Sequence, residues 1–382
     1  MLKRLLAVFT ATFIALAGIA FAAELRQDHP STYVVRKGDT LWDISAKFLQ
    51  KPWLWPEIWQ ANPQVKNPHL IYPGDVLSLV YIGGRPYLSS SAPQMSSAPQ
   101  IRTGDAIGAI PLSQIEPFIK ELTVVNDVKS YPYVIGLEED RLRSTSGQVV
   151  YVRGMSGAQP GQIVQIARPI QDYVLGRKFS YATTLDYRGQ RYYTNWDKHW
   201  ATGGTGNAQA GGRKGLLGIE LAKQALGEVT QIQGEIAVIV LRDEGREVRV
   251  GDRVLPAEVA PYDASFMPQG ATNIPAHARV LSITDGLNAA GPHSVIAIAV
   301  GSADGVKNGT TFSLWHEGAV KPDNVKFKYD FDARSNRVAM PDDFLGHAMV
   351  FRTFDRVSYA LVMDGIRPVR VGDLLKSPDA TQ

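Results

Sequence analysis

The stretch Tyr33-Val34-Val35-Arg36-Lys37-Gly38-Asp39-Thr40-Leu41-Trp42-Asp43-Ile44-Ser45 decides the fold of the N-terminal part of the chain. Its first residues read as a short strand, and Lys37-Gly38 favours a turn. Thr40 suits a helix N-cap, and Asp43 follows three positions later as in a capping box. The stretch therefore predicts a strand, a tight turn and a helix whose apolar stripe runs to Phe48.

A second helix and a second strand follow. Pro52 ends the first helix, and Pro56 suits the first turn of the next one. A turn that leads into the strand Val76–Leu79 is then predicted at the motif Leu70-Ile71-Tyr72-Pro73-Gly74-Asp75. Residues 31–80 are thus predicted to form a strand–helix–helix–strand module.

These sequence motifs, in this order, resemble the LysM family of glycan-binding modules. The resemblance implies a βααβ fold in which two helices pack on one side of a two-stranded antiparallel sheet. It also implies a shallow groove for the N-acetylated sugars of peptidoglycan or chitin, between the loop after the first strand and the loop before the second. Carried over position by position, the carbohydrate-binding residues would be Gly38, Asp39, Thr40, Leu41, His69, Leu70 and Ile71.

The segment between the two helices is richer in tryptophan than the family pattern. Trp42 and Trp59 are predicted to build the core, because so small a domain needs large side chains. For Trp53 and Trp55 two hypotheses stay open: core residues, or exposed indoles that bind a sugar ring or a protein partner. The exposure of the two indoles distinguishes these hypotheses.

The first residues are predicted to direct export. Lys3 and Arg4 precede an apolar run, and Ala20-Phe21-Ala22 has the small residues that a signal peptidase requires. We expect a signal peptide over residues 1–22, a periplasmic, wall-associated protein and no transmembrane span after cleavage. Without Lys3 and Arg4, 38 basic residues face 37 acidic ones, and this near-neutral balance argues against a nucleic-acid partner.

Composition also restricts the chemistry. The 382 residues include no cysteine, which excludes disulfides, thiol nucleophiles and thiolate metal sites. The seven histidines are scattered and form neither a His-x-His nor a His-Glu-x-x-His word. The sequence predicts no catalytic residue, metal ligand or cofactor. A peptidoglycan-remodelling enzyme with an unrecognised carboxylate pair, or a regulator that binds wall fragments, stays open as an alternative.

After the module the composition changes twice. Residues 83–104 are rich in Ser, Pro, Ala and Gln, which predicts a linker. Residues 105–377 carry short strand-like runs separated by Gly-Asp, Asp-Gly and Asn-Gly turns, which indicate antiparallel sheets. The fold class is therefore predicted as α+β, with a small helical module followed by a mainly antiparallel β region.

An internal repeat is visible in this β region. A shift of 121 residues aligns Val229–Asp252 with Val350–Asp373, and a weaker likeness at a shift of 148 aligns Val152–Gly161 with Val300–Gly309. The repeat predicts two related small β-barrel-like subdomains, at residues 105–260 and 275–377, the first with a Gly-rich and aromatic loop at 181–215. The alternative is that Val-x-Val-Gly-Asp recurs because it suits a strand that ends in a turn.

The aromatic and basic residues of this loop have two interpretations. One is a surface loop with a half-buried aromatic base. The other is a docking site for another envelope protein, because Tyr, Trp and Arg often anchor interfaces. The candidate partner-binding residues are Trp53, Trp55, Tyr192, Tyr193, Trp196 and Trp200.

The layout of the whole chain resembles the LysM proteins associated with the secretin of type IV pili. Their C-terminal part is similar to the C-terminal domain of a flagellar T-ring protein. The resemblance implies a non-enzymatic anchor whose module binds peptidoglycan while its β region binds the outer-membrane secretin ring.

Overall fold

The computed structural model describes residues 24–59, 71–91, 110–175, 215–243, 245–257, 267–283, 289–323 and 337–380. The chain divides into two compact units, residues 1–110 and 111–382. Within the described residues, no helix is long and apolar enough to cross a bilayer.

The first unit contains the predicted order of strand, helix, helix and strand. The capping box at Thr40 and Asp43 is present: the Thr40 side chain accepts from the Asp43 amide, and the Asp43 side chain accepts from the Thr40 amide. A single 3₁₀ turn at Pro52–Leu54 separates the helices. The elements are β1 (Thr32–Val34), α1 (Leu41–Phe48), α2 (Trp55–Trp59), β2 (Val76–Ile82) and β3 (Arg85–Ser91).

Strand β3 corrects the predicted linker. Residues 83–104 were assigned to a linker, whereas Arg85–Ser91 pair antiparallel with the whole of β2. Gly83 and Gly84, both at positive φ, make the tight turn between the two strands. Leu88 is fully buried in the core of the unit. The Ser-rich composition hid this strand, because one buried leucine and a two-glycine turn suffice to hold it.

The core of the first unit lies between the helices and the sheet, whose strand order is β1-β2-β3. The apolar face of α1 packs with α2 and with the inward side chains of β2 and β3. The core residues are Val35, Leu41, Ile44, Phe48, Leu49, Trp55, Ile58, Trp59, Ile71, Leu77 and Leu88.

The second unit is mostly antiparallel β structure with few helices, as predicted for this region. Its first part comprises α3 (Leu112–Glu121), β4 (Leu122–Val125), β5 (Tyr133–Leu137), β6 (Val149–Arg153), β7 (Ile163–Val174), β8 (Leu216–Gln233), β9 (Ile236–Leu241) and β10 (Arg253–Pro256). Its second part comprises β11 (Gln269–Gly270), β12 (Val280–Ile283), β13 (Val295–Ile298), β14 (Thr310–His316), β15 (Val320–Pro322), β16 (Arg337–Ala339), β17 (Asp343–Thr353), β18 (Ser358–Gly365) and β19 (Leu374–Lys376).

These strands form two seven-stranded sheets and one two-stranded ribbon. The first sheet has the order β4-β8-β7-β10-β5-β6-β9, and β8 also pairs with β9. The second sheet has the order β11-β14-β17-β18-β13-β12, with β19 paired to β14. The ribbon consists of β15 and β16. The strand-like run Val248–Val250 forms a bridge and a turn, not a strand.

The two sheets share their strand registers. A residue of β5 or β6 and its counterpart in the second sheet are 146 residues apart in the sequence. This separation is 148 residues for β7 and 121 residues for β8, β9 and β10. The irregularities also coincide, because the register shifts after Val134 and after Val280, and again after Ile166 and after Leu314. The equivalent pairs are Val134–Val152 with Val280–Ile298, Ile166–Ala225 with Leu314–Gly346, Val229–Ile239 with Val350–Ala360, and Val254–Ile166 with Leu375–Leu314.

The two sheets contact each other within this unit. Arg352 on β17 donates through Nη1 to the carbonyl oxygens of Phe118, Ile119 and Leu122, at 3.0, 2.5 and 2.6 Å. These carbonyls lie at the C-terminal end of α3, where a helix has no internal donors left. The guanidinium therefore caps α3 and fixes it to the second sheet.

Candidate functional site

Two turns lie side by side at one end of the β1-β2-β3 sheet of the first unit. One turn follows β1 and the other precedes β2. The Val35 amide donates to the Asp75 carbonyl at 2.9 Å, and the Gly74 amide donates to the Val35 carbonyl at 2.8 Å. Because these bonds continue the β1–β2 ladder, the two turns are held next to each other.

Both turns are closed in the same way by an aspartate. The Arg36 amide donates to Asp39 Oδ2 at 2.8 Å, and the Tyr72 amide donates to Asp75 Oδ2 at 3.0 Å. The third residue of each turn is a glycine with φ near +96°. A Cβ at Gly38 would meet nothing within 4 Å, so the backbone conformation, and not space, demands glycine there.

Asp39 also connects the first turn to β1. Its Oδ2 accepts from the Tyr33 hydroxyl at 2.8 Å, and burial together with this carboxylate raises the pKa of Tyr33. The phenol therefore remains a donor at neutral pH, and the turn is held from two directions. Exposed Arg36 and Lys37 lie on the outside of this turn.

The predicted carbohydrate-binding residues divide by exposure. Gly38 is exposed and Asp39 is partly exposed, whereas Thr40, Leu41 and Ile71 are buried, with Thr40 serving as the cap of α1. Leu41 and Ile71 belong to the core of the unit. His69 and Leu70 lie outside the described residues.

The tryptophans of this unit are core residues. Trp42 and Trp59 are buried, as predicted. Trp53 is 5% exposed and Trp55 is 0% exposed. The prediction of Trp53 and Trp55 as partner-binding residues is therefore corrected. Trp53, in the 3₁₀ turn, and Trp55, at the start of α2, are both buried, as a small domain that needs large buried side chains requires. The other candidates, Tyr192, Tyr193, Trp196 and Trp200, lie outside the described residues.

A buried polar cluster in the second unit escaped the sequence analysis. Glu220 on β8 is 3% exposed and accepts from the Tyr359 hydroxyl at 2.5 Å. Tyr173 belongs to β7 and bonds both Glu220 and Ser282. Burial raises the pKa of Glu220. A lone glutamate inside the apolar run Leu216–Ala222 was the signal that could have indicated it.

This cluster joins the two sheets and does not form an open site. Its three largest members are almost completely buried, so no substrate reaches the carboxyl group. In the part of the chain that the structure describes, no three His, Asp or Glu side chains gather as a metal site.

Comparison with known proteins supports the assignment of the first unit. Residues 33–80 match the LysM domain family. The chain is also similar to the protein described as "Uncharacterized protein YqbP" of Bacillus subtilis (strain 168), with 38% identity over 60 residues. That alignment covers 13% of this chain and 27% of the relative. Residues 33–80 are thus a LysM domain, which implies binding to peptidoglycan or a related carbohydrate.

Proposed function

We propose that this chain is a non-enzymatic cell-envelope anchor, which binds peptidoglycan through its LysM domain and a protein partner through its β-rich unit. The observation that carries the proposal is the pair of Asp-closed turns at the edge of the LysM sheet. In each turn an aspartate carboxylate accepts from a backbone amide and so fixes the arrangement of the backbone. Such a fixed pair of turns supports the binding of a sugar chain.

We further propose that residues 1–22 are a signal peptide and that the protein works in the periplasm. The partner proposed for the β-rich unit is an outer-membrane secretin ring, which rests on the likeness in layout to secretin-associated LysM proteins. Many copies around a ring would strengthen a weak glycan contact, because binding at one end raises the local concentration at the other.

The β-rich unit is proposed to consist of two related small barrels, within residues 105–260 and 275–377. Shared registers and shared irregularities support this proposal. The recurrence of the Gly-Asp motif would not support it by itself. The same turn, closed by an aspartate, occurs in both units of the chain, at Asp39, Asp75, Asp252 and Asp373.

Cosedimentation with purified sacculi tests the glycan proposal. The full chain should enter the pellet. Asp39→Ala removes the acceptor of two hydrogen bonds and should weaken binding about tenfold, if the lost turn order amounts to about 1.4 kcal/mol. Asp39→Asn keeps an acceptor oxygen and should bind nearly as the parent does. Asp28→Ala is the matched control, because Asp28 is exposed and pairs with nearby Arg26.

Two further outcomes separate the proposal from its alternatives. Soluble muropeptides released from the sacculi would indicate a wall enzyme and contradict the non-enzymatic role. The full chain, used as bait in detergent-solubilised envelope, should retain an outer-membrane channel protein. Recovery of wall fragments without any membrane protein would instead favour a regulator.

A further inference from the structure

The two sheets of the second unit hold an equivalent aspartate in the turn that leads into their last strand. Asp252 directly precedes β10, and Asp373 directly precedes β19. Each carboxylate closes its turn by accepting a backbone amide through Oδ2, from Arg249 at 2.8 Å and from Arg370 at 2.6 Å. Asp252 and Asp373 are 2% and 1% exposed. A carboxylate buried in this way is destabilising unless a cation or strong donor lies beside it.

The partner of this aspartate differs between the sheets. In the first sheet, Arg168 donates through Nε and Nη2 to the two carboxylate oxygens of Asp252, both at 2.8 Å. In the second sheet, His316 occupies the position of Arg168 in the strand register. Its Nδ1 lies 2.8 Å from Asp373 Oδ1. A guanidinium is always charged, whereas an imidazole ordinarily changes its charge between pH 5 and pH 8.

A second pair of equivalent aspartates shows the same exchange of partner. Asp243 accepts from the Leu226 amide at 2.7 Å and forms an ion pair with Lys223 at 3.0 Å. Its equivalent, Asp364, accepts from the His347 amide at 2.8 Å, and Nδ1 of the same histidine lies 2.9 Å from Oδ1. In both cases the aspartate pairs with a permanent cation in the first sheet and with a histidine in the second.

Neighbouring elements place further charged groups around His316 and Asp373. Asp343 lies opposite His316 in the β14–β17 register. The other charged side chains nearby, among the described residues, are Arg367 paired with Asp343, Arg279 paired with Glu317, Lys376 paired with Asp342, and Arg370 in the turn itself. Carboxylates, ammonium and guanidinium groups ordinarily keep their charge between pH 5 and pH 8. A change of charge at this turn near neutral pH therefore falls on the histidine.

The titration of the buried carboxylate agrees with this assignment. Burial raises the pKa of Asp373, while the hydrogen bonds from His316 and from the Arg370 amide act in the opposite direction. A group whose pKa is raised in the folded protein contributes stability at low pH, and this contribution is lost as the pH rises. The turn before β19 should therefore be held more firmly in acid.

We propose that the second sheet carries a pH-sensitive closure at His316 and Asp373, which the first sheet holds in a pH-insensitive form at Arg168 and Asp252. As the imidazole loses its charge, β19 is held less firmly. This strand pairs with β14, and it also bonds the segment before β12 through the Leu375 amide. Its release would leave one edge of β14 without its partner strand. The closure belongs to the β-rich unit and requires nothing of the LysM domain.

Hydrogen exchange of the full chain, followed by mass spectrometry between about pH 5.5 and pH 8, tests the proposal. The segments to compare are 370–376 and its equivalent 249–255, which serves as a control within the same molecule. Protection is corrected for the intrinsic rate of amide exchange at each pH. Protection of 370–376 should decrease about fivefold to tenfold as the pH rises, because a charge-assisted bond is lost. Protection of 249–255 should stay constant, and an equal pH dependence of the two segments overturns the proposal.

Two reciprocal variants assign the effect to the pair. His316→Arg places the partner used in the first sheet beside Asp373, so it should abolish the pH dependence at 370–376. Arg168→His makes the opposite change and should introduce a pH dependence at 249–255. Thermal melts by circular dichroism show whether each variant has folded.

A third variant keeps the test decisive if His316→Arg does not fold. His316→Gln retains a neutral donor, so 370–376 should be weakly protected at every pH. His277→Gln is the matched control, because His277 is exposed, and it should behave as the parent does. A pH dependence at 370–376 that persists in folded His316→Arg or His316→Gln overturns the proposal, because another group would then be its source.

Discussion

Arg352 offers the sharpest test of how the two sheets are joined. Its Nη1 lies within 3.0 Å of the carbonyl oxygens of Phe118, Ile119 and Leu122. Replacement by methionine keeps the apolar stem and removes the charged donor. Hydrogen bonds to charged groups contribute about 1.5–3 kcal/mol, and a cation at a helix C-terminus about 0.3–1 kcal/mol. We therefore expect Arg352→Met to lower the free energy of unfolding by about 3 kcal/mol.

That cost corresponds to a decrease in Tm of about 6–12 °C, on a scale of about 2–4 °C per kcal/mol for a unit of this size. Differential scanning calorimetry measures the shift. Hydrogen exchange measures its location: amides of α3 and β4 should exchange faster, because the helix end loses its cap. Arg352→Lys should fall between the parent and Arg352→Met, since a single ammonium cannot reproduce the planar guanidinium.

Arg356→Met is the matched control. Arg356 is exposed and lies 4.0 Å from Asp355, so its removal should change stability by less than about 0.5 kcal/mol. If Arg352→Met is no more destabilising than this control, and exchange in α3 is unchanged, then the guanidinium does not hold the sheets together and the reasoning is refuted.

Three other expectations concern the interior and the site. Since burial raises the pKa of Glu220, its contribution to stability is present below the ordinary carboxyl pKa of about 4.3 and is lost as pH rises through the raised value. Glu220→Gln should therefore gain stability relative to the parent between about pH 4 and pH 7 in thermal scans, whereas a constant difference would contradict the burial argument. Trp55→Ala should cost about 3–5 kcal/mol and expose the first unit to proteolysis, because the indole is fully buried in a small core. Gly74→Ala forces a residue with a side chain to φ +97°, so it should lower the free energy of unfolding by about 1 kcal/mol and weaken sacculus binding. Gly291→Ala is the control: it lies at an open position with ordinary φ and should change neither stability nor binding.

Local signals in the sequence determined most of the first unit. The cap at Thr40, the breaker Pro52 and the Gly-Asp turns each act over three or four residues, so their outcome does not depend on distant contacts. Strand β3 was missed because its partner β2, and not its composition, decides that it is a strand. The exposure of Trp53 and Trp55 was open for a similar reason, since burial depends on how two short helices pack.

The second unit shows where sequence reasoning ends. The repeated turn motif was visible in the sequence, but the same motif also closes turns in the LysM domain. Only the strand registers could therefore establish that the two sheets are alike. Strand β8 runs from Leu216 to Gln233 and was missed because it faces buried surroundings on both sides for much of its length and lacks simple alternation. The site residues were placed by resemblance, and burial then distinguished Gly38 and Asp39 from Thr40, Leu41 and Ile71.

Strand β3 has a mechanical consequence. Ser91 lies opposite Val76, directly after the turn at Asp75, so the polypeptide leaves the LysM sheet at the end that holds the proposed sugar site. A pull on the chain there would load the β2–β3 ladder one rung at a time, as a zipper opens, and not all rungs together. The strand would peel away toward Gly83 and Gly84 while the β1–β2 pairing that carries both turns stayed closed. The β2–β3 hairpin would thus open and lengthen under tension before the proposed contact with peptidoglycan breaks.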